Sequence, residues 1–187
     1  MEILAMRHYL SKFRLRLSLS ALLLTLSGGF AQVASAEGMD ADLARRVAFV
    51  LNFSRYATWD GGLPIPPGGM FTICSWRGSG ATKDLFEGIK GQTIAGHKVD
   101  YQIVDRQENL IRCNVLYVAE IASAAIDSLQ SDIRTHRILL VTEVADKGSI
   151  SLLKDGDTFT FSCDTKEAAA SGIRLSSRML KLAIEVR

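Results

Sequence analysis

The segment Ile138-Leu139-Leu140-Val141 is apolar at every position and closes on Thr142. A short run without polar alternation marks a strand buried on both faces, and such strands belong to parallel sheets with helices above and below. The rest of the chain must therefore supply two covering layers. Strand patterns read over Phe71 to Trp76, His97 to Val104 and Asn114 to Val118, with helical patterns over Ala81 to Lys90 and Ala122 to Arg134. This alternation predicts an α/β domain, a three-layer α/β/α sandwich with a mostly parallel sheet. Ser149 to Leu153 and Thr158 to Cys163 flank Asp155-Gly156 and add an antiparallel edge hairpin. Thr165 to Ser171 reads as a short helix ended by Gly172, and Ser176 to Val186 as a closing amphipathic helix.

The helix expected over Asp42 to Trp59 is apolar over more than one side. Leu43, Val47, Phe49, Val50, Leu51, Phe53 and Tyr56 fill a broad arc, and Arg45, Asn52 and Arg55 share the narrow remainder. An ordinary surface helix shows a narrower stripe. Two explanations stand: deep burial within the domain, or an interface. Arg45, Phe49, Asn52, Phe53, Arg55 and Tyr56 are the candidate interface residues. The following stretch, Gly61 to Gly69, holds Pro64, Pro66 and Pro67 and must be a loop.

The first 36 residues read as an export signal. Arg7, Lys12, Arg14 and Arg16 form a basic head, Leu17 to Leu26 an apolar core, and Ala34-Ser35-Ala36 a small-residue cleavage site. The core is half the length of roughly 20 residues that a spanning helix needs. Cleavage after Ala36 would leave residues 37–187 as one domain, with Glu37 to Asp40 a frayed start. The whole-chain charge of +2 belongs to the signal. Four of the 22 Lys and Arg and one of the 20 Asp and Glu lie in it, which leaves 18 against 19. With no basic block, nucleic acid is a poor partner.

Export makes the cysteines disulfide candidates. Three cysteines allow three pairings, and the sequence alone does not choose. Cys74 lies late in the first strand and Cys113 at the start of another, which favours Cys74–Cys113. Cys163 alternates with Phe159 and Phe161 and is expected to be a buried free thiol.

No catalytic motif appears. Gly78-Ser79-Gly80 follows a strand, but the third glycine of a dinucleotide fingerprint is Lys83. His97 and His136 are isolated, and no metal or cofactor is called for. Asp164 and Ser176 are suited to capping helices. Trp59 and Trp76 are either core residues or the lining of a small-ligand pocket.

Four stretches carry a family resemblance. They are Val47 to Tyr56 with Thr58-Trp59; Phe71-Thr72-Ile73-Cys74 with Arg112 to Val118; Ile138 to Glu143; and Phe161-Ser162-Cys163-Asp164 with Ala168-Ala169, Gly172-Ile173 and Ser176 to Ala183. In order and spacing the chain resembles the YfiR family of exported bacterial proteins. The resemblance implies a periplasmic, non-enzymatic repressor that restrains an inner-membrane diguanylate cyclase through its periplasmic sensor domain. It would thereby limit cyclic di-GMP and biofilm formation. An outer-membrane lipoprotein that sequesters the repressor and a link to redox sensing are implied as well, and the broad apolar arc of the first helix adds the expectation of a homodimer. Cys74 and Cys113 match the family's structural disulfide. The second cysteine pair of some members, which would fall within Gly148 to Asp155, is absent, so a switch in that pair does not transfer. Asp60 replaces the usual proline after Trp59, and Asp164 the usual asparagine. The alternative function is a periplasmic small-molecule-binding module serving another envelope receptor.

Overall fold

A computed structural model describes residues 30–78, 83 and 86–187. The basic head and apolar core of the N-terminal segment, and Ser79-Gly80, lie outside them. Helix α1 spans Phe30–Arg55, so residues 37–40 are helical in the uncleaved chain. From Leu43 onward the chain forms one compact unit, to which the description below refers.

The main sheet is built from β2 (Phe71–Trp76), β3 (Thr93–Ile94), β4 (His97–Val104), β5 (Val115–Val118), β6 (Leu139–Thr142), β7 (Ile150–Asp155), β8 (Thr158–Cys163) and β10 (Glu185–Val186). Their order is β10-β8-β7-β6-β5-β2-β4-β3. The five central strands, β7-β6-β5-β2-β4, are parallel, and the β7–β8 and β3–β4 pairs are antiparallel. After β2 the chain builds β4 on one side, then returns to build β5 on the other, so strand order reverses around β2.

Side chains alternate across this sheet and feed two cores. Phe71, Ile73, Val115, Tyr117, Leu139 and Val141 point to the face covered by Val47, Val50 and Phe53 of α1 and by Phe86. Cys74, Trp76, Leu116, Val118 and Leu140 point to the other. There they meet Ile126, Leu129 and Ile133, the apolar stripe of α2 (Ile126–Thr135). Every residue of β6 is buried, as its unbroken apolar run requires. A short 3-10 segment over Gln107–Arg112 leads into β5, and another over Glu120–Ala125 precedes α2.

The expected helix ends differ. α1 stops at Arg55, and Ala57–Trp59 forms β1, paired antiparallel with β9 (Ile173–Leu175). The apolar periodicity continues through Trp59, but a partner strand more than a hundred residues away claims its backbone. Helix α3 (Thr165–Ala170) starts on Asp164, whose carboxylate accepts the Glu167 N–H at 2.8 Å. The last helix, α4 (Ser177–Leu180), is far shorter than Ser176 to Val186. Ser176 caps it, but after Leu180 the chain extends. The Ile184 and Arg187 N–H groups bond the Phe161 and Cys163 carbonyls, two acceptors on the open side of β8. The short β10 thus lies outside the hairpin. The hairpin turn falls on Gly156-Asp157, because Asp155 pairs with Thr158. Gly156 there adopts φ +58°.

Candidate functional site

The six candidate interface residues of α1 divide by what they touch. Phe53 is core: its ring lies 4.9 Å from Phe161. Half-buried Phe49 packs against Phe53, Phe159 and Phe161 at 5.7–6.3 Å. The hairpin covers this side of the arc, burying Phe53 and covering part of Phe49. Arg45, Asn52, Arg55 and Tyr56 remain exposed. Arg45 donates to the Asp157 carbonyl in the hairpin turn at 3.0 Å. Arg55 donates to Gln92 at 2.9 Å and reaches Asn52. Tyr56 keeps 42% of its surface exposed. The broad apolar arc therefore reports burial, and a polar face with one aromatic ring is left over.

The structure joins Cys74 to Cys113, with Cα atoms 5.7 Å apart. Cys74 belongs to β2, and Cys113 lies two residues before β5, the neighbouring strand. Both are buried in the α2-side core. The bond closes a 39-residue separation and ties β2 to the strand built after the chain reverses. Cys163 is a free thiol buried on the opposite face. Burial pushes its pKa up to about 11, so it stays protonated and inert near neutral pH.

Trp59 and Trp76 do not share a pocket, because they sit on opposite faces of the sheet. Trp59 stacks edge-on against Phe71 at 5.7 Å, and its indole N–H donates to the Arg137 carbonyl at 2.8 Å. It is a satisfied core residue. Trp76 ends β2, and its indole N–H is buried without a hydrogen-bond partner among the described residues. It lines a cleft of about 380 Å³ together with Arg77, Asp105, Gln107, Ala124, Ala125 and Ser128. The Arg77 guanidinium lies 5.6 Å from the centre of the Trp76 ring. A second cleft, of about 410 Å³, opens at the amino ends of β2 and β5.

A polar cluster that no motif announces fixes α1 to the sheet. Tyr117 of β5 donates its hydroxyl to Glu143 at 2.6 Å, and Arg46 of α1 pairs with the same carboxylate. The Arg46 guanidinium also lies 5.0 Å from the Phe159 ring. Burial first, then the neighbouring Glu143 charge, raises the Tyr117 pKa and keeps it a donor. Three distant parts of the chain meet here. Next to this cluster Phe86 stacks on Tyr101 at 4.7 Å, and Tyr101 bonds Ser75 at 2.6 Å.

The family model described as YfiR/HmsC-like matches residues 44–184. The chain belongs to the YfiR/HmsC-like family. The match begins within α1 and covers the disulfide, α4 and every strand of the main sheet but β10, so the YfiR-like domain and the compact unit nearly coincide. No curated protein matches the chain. Among solved structures, an ABC domain in complex with L-Trp from Streptococcus pneumonia is similar, with 15% identity and a TM-score of 0.44. The likeness covers 66% of this chain and 57% of that one, so the chain spans little more than half of that structure. Among the described residues no helix is long and apolar enough to cross a membrane, and no group of His, Cys, Asp and Glu could hold a metal ion.

Proposed function

We propose that this YfiR-like protein is a non-catalytic periplasmic regulator. It restrains an inner-membrane diguanylate cyclase by touching the cyclase's periplasmic sensor domain, and so limits cyclic di-GMP and biofilm formation. The observation that carries this reading is the family match over residues 44–184. The export signal, cleaved after Ala36, supports it by delivering residues 37–187 as a single domain to the right side of the membrane.

In this reading the exposed face of α1, with Arg45, Asn52, Arg55 and Tyr56, meets the cyclase or a second copy of the chain. An outer-membrane lipoprotein sequesters the regulator and releases the cyclase. The Cys74–Cys113 bond holds the sheet in the form that binds, which makes the regulator sensitive to its loss. The test is genetic. Deleting the gene raises surface attachment, and also deleting the cyclase that carries a periplasmic sensor domain abolishes the rise. Attachment that does not change in the first deletion contradicts the proposal.

A further inference from the structure

The cleft at the amino ends of β2 and β5 combines an apolar wall with unopposed positive charge. Ile65, Met70 and Ile111 supply the wall. Met70 is 53% and Ile111 67% exposed, well beyond what neighbouring core packing would leave. Arg112, Arg137 and His136 supply the polar lining, and no carboxylate lines the cleft. Arg137 is already engaged, donating to the Asp60 carbonyl. Arg112 is exposed and pairs with no carboxylate among the described residues. The floor is settled: the buried Asn114 side chain accepts the Thr72 N–H at 2.8 Å, and Cys113 is locked in the disulfide.

From these residues we infer that the cleft binds a small amphipathic carboxylate, an apolar body with one anionic head. At about 410 Å³ it falls within the range of small-ligand pockets. The apolar body covers Ile65, Met70 and Ile111, removing exposed apolar surface from water. The head pairs with Arg112, whose planar fork suits a carboxylate. A cationic ligand would meet two guanidinium groups and no counter-charge. A neutral apolar one would leave Arg112 unused. The site stands apart from the proposed regulatory reading, since its lining includes no residue of α1 and its occupancy is read on the purified protein.

The test is a titration of the ¹⁵N-labelled protein with phenylacetate, followed by NMR, with phenylacetamide as the uncharged control. Phenylacetate is expected to shift the amides of Ile111 to Asn114 and of His136 and Arg137. Phenylacetamide should bind about tenfold more weakly or worse, as loss of a charge-assisted hydrogen bond implies. Arg112→Glu is expected to weaken phenylacetate binding by at least about tenfold on the same grounds. Ile111→Asp, at an exposed position, is expected to weaken it as well. Absence of shifts at these amides, equal binding of the two probes, or phenylacetate binding unaffected by Arg112→Glu would overturn the inference.

Discussion

Tyr117 and Glu143 meet at 2.6 Å, the hydroxyl donating to a carboxylate that Arg46 also holds. Tyr117 lies within β5 and Glu143 directly follows β6, so the bond pins α1 to two central strands through a single carboxylate. Removing the donor in Tyr117→Phe should lower stability by about 1.5 kcal/mol, the scale of a hydrogen bond to a charged group. Glu143→Gln should cost more, about 2 kcal/mol, because it leaves the half-buried Arg46 without its counter-charge. Urea unfolding of both variants checks the order. Glu143→Gln as stable as wild type would show that the cluster does not anchor α1.

The Cys74–Cys113 bond closes a loop of about forty residues between adjacent strands. In the chain-entropy model, loss of such a bond costs about 4 kcal/mol. Cys74→Ser should therefore melt well below wild type without reductant and match reduced wild type. Secondary structure by circular dichroism should persist, because both sulfurs lie within a core that also holds Leu116, Leu129 and Leu140.

Cys163 links stability to alkaline pH. Its pKa rises from 9.0 to about 11 because burial disfavours the thiolate. The unfolded chain releases this proton near its ordinary pKa, whereas the folded chain holds it. The stabilising contribution is thus complete below about pH 9 and is lost as pH climbs toward 11. Wild type should lose more stability than Cys163→Ala between about pH 8 and about pH 10.5. Parallel losses in the two proteins would show that the thiol is not the linked group.

Gly148 precedes β7 with φ +75°, and a Cβ there would lie 2.9 Å from Leu140 Cγ and 3.0 Å from Thr142 Cγ2. Both side chains belong to β6, whose residues are all buried. Gly148→Ala therefore combines a strained backbone with overpacking and should cost about 2 kcal/mol or more in thermal unfolding. Gly61→Ala has open space around it but shares the left-handed φ, so a similar loss there would assign the effect to backbone strain alone.

The layers of this fold were legible from the alternation of strand and helix patterns, with β6 marked by its unbroken apolar run and β7–β8 by the turn signal between them. What local pattern missed was decided at a distance. Ala57 to Trp59 reads as the end of a helix until Ile173 to Leu175 pairs with it. Leu182 to Val186 reads as helix until open carbonyls on β8 bind it. The same holds for the site. The α1 arc was visible, but periodicity cannot say that Phe159 and Phe161 cover Phe49 and Phe53. Arg46 borders that arc, and its partner lies 97 residues on, a contact no spacing rule could reveal.

The central claim is that this YfiR-like protein lowers cyclic di-GMP from outside the inner membrane. The most direct measurement is cellular cyclic di-GMP in a deletion strain complemented in two ways, with the full chain and with a form lacking residues 2–36. Deletion should raise cyclic di-GMP, the full chain should restore the low level, and the form retained in the cytosol should not. Restoration by both forms to the same level, or no rise on deletion, would contradict the account.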